Sequence, residues 1–596
     1  MLKPKFYLTT PIYYANSRPH VGSAYTTIVC DVIARYKRMC GYDVAYLTGT
    51  DEHGVNIERA AEKQGITPQQ LVDKNCAIFK GLWSLLGIQY TDFVRTTSRE
   101  HERGVQQLVL RTLEKSPSAI EKRKYEGRYC IYDNLYVSDT AEPADCPICG
   151  RHAELISEEN YFFRLSDYEE RLLKFYGEYR DFVEPDFRFN EVKSFVESGL
   201  KDISISRKSI KWGIPWPGDD EQVFYVWYDA LTSYMTGIGY GSEDENCQSR
   251  FKLFWPANVH MIGKEIIRFH AVYWPAFLMA AFPDKEYSEY MPARIQAHGW
   301  LLFEQEKMSK SKGNVAYPEP IVKTLGNDAL RYYLLREIVF GQDGNFSREA
   351  LITRYNADLA NGLGNLASRI LNMVQLYCDG VIPGEDDEKH RTPEELELDR
   401  VFHCGPGNAL TYVKAMYDDF DFDAALERIW LIVSGTDQYL TQTRPWVMAK
   451  DAGKRARLHG VLNRSAHALG IAAGLAYPVI PDGAQAIWTQ LGKEQPLGSL
   501  NIDCFAYFGF LKPGTKIGKP EGVFPRIDKK EALERIEIME NEIRNPGTAG
   551  KPEGTQPDAS TTTTKKPAEG ASTGTSAAGA AAVSYTHLRA HETGRN

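Results

Sequence analysis

Apolar positions along the first hundred residues alternate between two periods. Short β-rich runs, "FYLTTPIYY" and "DVAYLTGT", give way to helix-compatible stretches such as "PQQLVDKNCAIFKGLWSLLG", the rhythm of a parallel α/β sheet. This predicts the first half of a Rossmann-like domain over residues 1–116. From 117 to 222 the rhythm breaks into turn-rich sequence, "EGRYCIYDNLYVSDTAEPADCPICGRH", then "DISISR" and "KWGIPWP", which is expected to be an inserted domain. The α/β pattern returns over 223–345 with "QVFYVWYDA", "LFWPANVHMIGKEIIRFHAVYWPAFLMAA" and "ARIQAHGWLLF", and closes on "EKMSKSKGN". Over 346–545 strand signals are few, and "SREALITRYNADLANGLGNLASRILNMVQLY" carries helical periodicity, so an α-helical bundle is predicted there. Residues 546–582 have almost no large apolar side chain and are expected to be a linker that cannot bury enough surface to fold. The last stretch, 583–596, changes composition abruptly and reads as a non-native tail. The predicted fold class is α/β: a parallel sheet split by an insertion, followed by a helical bundle.

Composition narrows this picture only slightly. At 596 residues the chain is too long for one compact core. Its 43% hydrophobic and 25% charged residues are ordinary for a globular protein, and no apolar run reaches the roughly 18 residues of a membrane span. The N-terminus lacks the apolar core of a signal peptide, and the ten cysteines are mostly scattered singly, which points to a reducing cytoplasm. A net charge of −9 argues against a generally basic nucleic-acid coat but leaves room for local basic sites.

Candidate chemistry begins with "PHVGS", where the first strand turns into a helix. A helix N-terminus offers backbone donors and the positive end of the dipole to a phosphate, and Gly22 permits close approach of a nucleotide. His20 and, more weakly, Ser23 add side-chain donors. The second candidate is the loop "EKMSKSKGN", in which Lys307, Lys310 and Lys312 concentrate mobile cations beside Ser309, suited to charge on a transferring phosphate. Either stretch alone has a bland reading, a capped turn or a solvated basic loop.

Together, and in this order on a split sheet, the two stretches resemble the paired signatures of class I aminoacyl-tRNA synthetases. "TPIYYANSRPHVGSAYT", "TGTDEHG", "WGIPWP", "YVWYDAL", "HMIGKEIIRFHAVYWPA", "KMSKSKGN", "DALRYYLLRE" and "NGLGNLASR" extend the resemblance, across about residues 5–545, to the methionyl-tRNA synthetase family. The modest insertion agrees with this, because the related isoleucine, valine and leucine enzymes carry a much larger editing insertion. The resemblance implies activation of methionine by ATP, as its Mg2+ complex, and transfer to tRNA(Met). It implies a methionine pocket of Ile12, Tyr14, Trp227, Tyr234 and His270, with Asp51 receiving the α-ammonium. His20, Gly22, Ser23, Lys307, Ser309 and Lys310 would act on the phosphates, and Gly263 and Glu265 on adenine and ribose. Ser23 stands where the family usually has a second histidine.

The same resemblance implies a structural zinc knuckle from Cys130, Asp133, Cys146 and Cys149, with aspartate where the family usually has a cysteine and His152 as a substitute. In the helical region it implies anticodon contacts by Asn365 and Arg369, one turn apart, and by Trp446, while Asn361 stays open. Expected partners are tRNA(Met), L-methionine and ATP, with no membrane, for a monomer or homodimer. Two competing readings remain: another class I synthetase, and a non-catalytic tRNA-binding paralogue.

Overall fold

Alternate residues of the first strand point into two different cores, which is how the sheet comes to be covered on both faces. In β1 (Lys5–Thr9) Phe6 and Leu8 join a core that continues through the helical region, whereas Tyr7 joins one built with the insertion. The computed structural model describes residues 3–545 apart from 133–134, 139, 141, 148, 304–305, 308–314, 385–391 and 405–406. The expected linker 546–582 and tail 583–596 lie outside the described residues.

The main sheet has seven strands, all paired in parallel. β1 lies at its centre, between Asp43–Asp51 on one side and Val259–Gly263 on the other. The first of these neighbours precedes the insertion and the second follows it. The strand order therefore reverses at β1, and the crevice at such a switch point, outside the carboxyl ends of the strands, is where an α/β sheet binds ligands. Asp43–Asp51 is buried along nearly its whole length, as a strand covered on both faces must be. Gly49 is required there: a Cβ would meet the Val94 carbonyl oxygen at 2.2 Å on the neighbouring strand Asp92–Arg95.

The helix that follows β1 and carries the first motif is α1 (Val21–Met39). His20 caps it, with Nδ1 accepting the Gly22 N–H at 3.0 Å. α1 is fastened deep in the molecule by Asp31, which is fully buried. Its carboxylate accepts from Arg35 at 2.6 Å, Arg331 at 2.7 Å and the Gln89 N–H at 2.7 Å. Burial alone would raise the pKa of Asp31, but the two guanidinium groups outweigh it and hold the carboxyl below its ordinary range.

Within 117–222 an antiparallel sheet forms in the order Leu135–Ser138, Ile120–Cys130, Glu154–Phe163, Ile203–Ser204. The same stretch also returns one short strand, Val183–Glu184, to the edge of the parallel sheet beside Ile295–Gln296. Beyond residue 347 the described chain is mainly helical, apart from the short pairing of His403–Cys404 with Gly407–Asn408. Arg348–Arg354 runs into a π-helical segment, Tyr355–Gly364, and then into Asn365–Tyr377. The long helices Phe422–Thr443 and Arg455–Ala476 pack against each other. The final helix, Lys529–Arg544, folds back onto Pro318–Leu325 and Arg348–Arg354.

Asp328, at the start of the helix Asn327–Glu337, is buried against the N-terminus of Pro481–Gln490 and accepts the Gly483 N–H at 2.6 Å. Burial, and then the negative charge of Asp482, push its pKa up to about 7. A raised carboxyl pKa stabilises the fold fully below the ordinary carboxylate range, and that contribution is lost as pH rises through about 7. Asp328→Asn, uncharged throughout, is expected to gain stability relative to the parent as pH rises from about 4 to about 8. Urea denaturation of both proteins across that range checks it, and a constant difference refutes it.

Candidate active site

Strand register builds one wall of the crevice. The short strand Tyr13–Tyr14 pairs in parallel with Thr50–Asp51, so Tyr14 lies directly beside Asp51. The backbone bond from Ala15 N–H to the Asp51 carbonyl, 2.8 Å, fixes that alignment. The Tyr14 hydroxyl donates to the His53 carbonyl at 3.0 Å. Asp51 Oδ1 is buried and, among the described residues, has no hydrogen-bond partner. Burial, with the nearby charges of Asp229 and Glu52, pushes its pKa well above the usual carboxylate range. A desolvated carboxylate with an open acceptor is what a ligand's ammonium group completes.

A second group of the expected residues is aromatic. Trp227 stacks on Phe269 with ring centroids 3.7 Å apart and planes 6° apart, and His270 meets Trp227 edge-on at 6.1 Å. His270 lies in the π-helical turn Phe269–Tyr273. Its Nδ1 donates to the Ile266 carbonyl at 2.9 Å, which leaves Nε2 to accept from the Tyr234 hydroxyl at 2.7 Å. Burial lowers the pKa of His270 to about 4, so the ring is neutral at physiological pH. Ile12 and Trp227 pack, half-buried, against the same core as Tyr234 and Phe269, while Tyr14 and Trp227 share the small cluster around Tyr225 and Val226. Of the six residues expected to line a methionine pocket, Ile12, Tyr14, Trp227 and Tyr234 border these two clusters, His270 joins through Tyr234 and Trp227, and Asp51 through its register with Tyr14.

Behind Asp51 lies a polar network that the sequence did not resolve. Asp229 accepts from His53 at 2.7 Å and from His101 at 2.6 Å, and His101 also bonds the Thr236 hydroxyl at 2.7 Å. Burial would raise the pKa of Asp229; the two imidazoles overcome that and hold it below its ordinary range. Glu52, fully buried, pairs with Arg95 at 2.8 Å and accepts from the hydroxyls of Thr50 and Thr97. These residues fix the strand end that carries Asp51. Their letters stand in "TGTDEHG" and "YVWYDAL", but their partners come from distant segments, such as His101, 128 positions from Asp229.

The phosphate end differs from expectation in one respect. The first-turn donors of α1 are partly occupied by the protein: Gly22 N–H goes to His20, and Val21 N–H goes to the Ala316 carbonyl at 3.0 Å. The physical reason is that His20 is itself the cap. With Nδ1 accepting, the proton of its neutral ring sits on Nε2, which makes that nitrogen a donor. Ser23 is half-buried on the first turn, and its carbonyl receives the Tyr13 hydroxyl at 3.1 Å. Across the crevice Gly263 ends its strand, and Glu265 follows in a single turn, held by the Trp300 indole N–H at 3.0 Å. The backbone of Lys307 pairs with Leu302 in a short hairpin; Ser309 and Lys310 lie outside the described residues.

The long hairpin of Ile120–Cys130 with Glu154–Phe163 brings three thiols together. The sulfurs of Cys130, Cys146 and Cys149 lie within 4.8 Å of one another, with Cys130 and Cys149 at 3.6 Å. Gly150, at φ 67°, turns the knuckle, and its N–H bonds the Cys146 carbonyl at 2.9 Å. Three convergent thiols fit a thiophilic divalent ion. Asp133 lies outside the described residues, and His152 is exposed, 3.2 Å from Asp145.

In the helical region Asn365 and Arg369 share a face of their helix, but Asn361 belongs to the π-helical segment before it, so the three do not form one straight row. Arg369 is ion-paired with Asp437. Trp446, 38% exposed, stands on the short helix Pro445–Met448.

A parallel sheet interrupted by an insertion, with a capped His-x-Gly helix at its switch point, is the frame of a class I aminoacyl-tRNA synthetase. Residues 6–154 and 141–371 match the family described as tRNA synthetases class I (M), and 408–538 match the anticodon binding domain of methionyl tRNA ligase. The chain belongs to the methionyl-tRNA synthetase family. It is 44% identical over 538 residues to a methionine–tRNA ligase of Caldanaerobacter subterraneus subsp. tengcongensis, covering 90% of this chain and 81% of the relative. It is 42% identical over 547 residues to that of Thermotoga maritima, covering 90% and 83%. Its fold is also similar to that of Mycobacterium tuberculosis methionyl-tRNA synthetase in complex with methionyl-adenylate, with TM-score 0.81 and 41% identity over 88% of this chain and 100% of that one.

Cobalt(II) titrated into the reduced protein is expected to give the intense near-ultraviolet absorption of cobalt–thiolate bonding, and Cys149→Ser to weaken both that band and the affinity. An unchanged spectrum in the variant would remove Cys149 from the ligand set.

Proposed function

We infer that this chain is a methionine–tRNA ligase. The observation that carries the reading is the open carboxylate of Asp51, set by register beside Tyr14, together with the joined aromatic group of Trp227, Tyr234 and His270. Asp51 holds the α-ammonium of methionine. The aromatic group takes the thioether, whose sulfur is favoured against aromatic rings, and His270 stays neutral there, so no charge need be desolvated around an apolar side chain.

The substrate carboxylate attacks the α-phosphorus of ATP, and the bond to pyrophosphate breaks, with pyrophosphate leaving as its Mg2+ complex. A ribose hydroxyl of the terminal adenosine of tRNA(Met) then attacks the carbonyl carbon and AMP leaves. His20 donates from Nε2 to the phosphates at the positive end of α1, Gly22 lets them approach, and Ser23 adds a neutral donor. Gly263 and Glu265 receive adenine and ribose. Lys307, Ser309 and Lys310 neutralise charge on the leaving pyrophosphate. In the knuckle Cys130, Cys146 and Cys149, with Asp133 as fourth ligand, hold a structural Zn2+ that braces the insertion. Anticodon bases meet Asn365 and Trp446, and Arg369 exchanges Asp437 for a base edge. The enzyme works in the cytoplasm as a monomer or homodimer.

Methionine-dependent exchange of labelled pyrophosphate into ATP, against a panel of amino acids, tests the assignment. Exchange driven by valine or cysteine would point to another class I synthetase, and tight tRNA binding without exchange to a non-catalytic paralogue. Asp51→Asn is expected to raise the KM for methionine roughly 10- to 100-fold, the value of a hydrogen bond to a charged group. His20→Ala should lower kcat by roughly 100- to 1,000-fold, as loss of a donor to developing charge does. Ser23→Ala should cost no more than about tenfold, the value of a neutral hydrogen bond. Equal losses at the two positions would overturn that ranking.

A further inference from the structure

The stretches "IGKE" and "HGW" end two neighbouring parallel strands, with Gly263 opposite His298. Just beyond, Glu265 has one carboxylate oxygen engaged and one open. Its Oε2 accepts from the Trp300 indole N–H at 3.0 Å and lies so close over Gly263 that a Cβ there would meet it at 2.5 Å. Its Oε1 accepts no hydrogen bond among the described residues. Trp300 is in turn set by the chain just before the strand Gly344–Phe346. Asp343 accepts the Trp300 backbone N–H at 2.8 Å through Oδ1 and the Lys264 ammonium at 2.7 Å through Oδ2. That ammonium lies over the Trp300 ring, 4.2 Å from its centroid. Asp343 can reach because Leu301–Phe303 pairs in parallel with Gly344–Phe346 and because residue 299 is glycine, where a Cβ would meet the Gln342 carbonyl oxygen at 2.2 Å. Burial would raise the pKa of Asp343, but Lys264 and the Trp300 N–H outweigh it and hold the carboxyl below its ordinary range. The side chains of Lys264 and Asp343 are 18% and 38% exposed, where an ion pair contributes little to folding stability; its consequence lies in where it places the indole.

We propose that Asp343 is a positioning residue for the nucleoside of ATP: it fixes Lys264 and Trp300, and the Trp300 indole holds Glu265 so that Oε1 is left to accept a ribose hydroxyl. The proposal deepens the function inferred above and rests on it, since there Glu265 receives the ribose. A free glutamate side chain loses rotamer freedom when it binds, and one already held by a neighbour loses less, so the indole raises affinity without touching the ligand. A held carboxylate also distinguishes a sugar that carries the hydroxyl from one that lacks it, because the missing donor leaves its acceptor unpaired. Asp51 shares none of these bonds, and methionine binding does not depend on Asp343.

The experiment measures methionine-dependent pyrophosphate exchange with ATP, 2′-deoxyATP and 3′-deoxyATP on the full chain, its Asp343→Ala and Trp300→Phe variants, and the double variant. The parent is expected to prefer ATP over at least one deoxy analogue roughly 10- to 100-fold in kcat/KM, the value of a hydrogen bond to a charged group. Asp343→Ala, and Trp300→Phe, which keeps an aromatic ring but not the N–H, should each reduce that preference at least about threefold and raise the KM for ATP, with the KM for methionine within about twofold of the parent. The double variant should lose no more than about twofold beyond either single one, because both act through one carboxylate. A preference that survives in Asp343→Ala, a methionine KM that rises in step with that for ATP, or additive losses in the double variant would each overturn the proposal. A parent that exchanges with methionine yet accepts both deoxy analogues as well as ATP also overturns it, and leaves the methionine reading standing. Should Asp343→Ala fail to fold, Trp300→Phe decides alone: a reduced preference with a parental methionine KM supports the proposal, and an unchanged preference overturns it. A parent chain without methionine-dependent exchange would instead sink the functional reading, and this proposal with it.

Discussion

One buried carboxylate, Asp31, fastens α1 to the rest of the molecule. It bonds Arg35 on its own helix and Arg331 on Asn327–Glu337, and Arg331 in turn donates to the carbonyls of Val479 at 2.8 Å and Pro478 at 2.9 Å. Arg35 reaches the Gly87 carbonyl at 2.6 Å and the Tyr477 hydroxyl at 3.2 Å. Stripping one partner from such a cluster costs about 3–5 kcal/mol, because a charge is then left buried and unpaired. The direction of α1, and with it the place of His20 at the switch point, depends on chain more than 440 positions away.

The crevice follows the same rule of paired burial, with one departure. Asp229 is satisfied by two imidazoles, and Glu52 by Arg95 and two hydroxyls, so both are structural anchors. Asp51, next in sequence to Glu52, keeps an acceptor without a partner among the described residues. Among the described residues, satisfied carboxylates thus surround one that is not. The neighbouring network holds Asp51 still without neutralising it.

The parallel sheet and the later helices were legible because hydrophobic period and turn residues are local properties. The two motif stretches were legible because their residue types are unusual together. The strand Val183–Glu184 was not, since two residues carry no period. Nor was the π-helical segment Tyr355–Gly364: a repeat of four in sequence reads as an ordinary helix, on which Asn361 would line up with Asn365 and Arg369. The charge clusters were invisible for a different reason. Asp31 and Arg331 stand 300 positions apart, and only the folded chain shows that they meet. The expectation that Trp227 and Tyr234 line a pocket came only through family likeness, as their composition is equally that of a core.

The last described helix has a consequence for how the molecule comes into being. Its residue Arg544 donates to the carbonyl of Val315, 229 positions earlier. During synthesis the first motif, the sheet and the lysine-rich segment all leave the ribosome before this side chain exists. A growing chain can assemble its sheet while Val315 still lacks this bond, which arrives only after the helical region has been made. The fold thus ties the setting of Val315 to the synthesis of the helices that follow it.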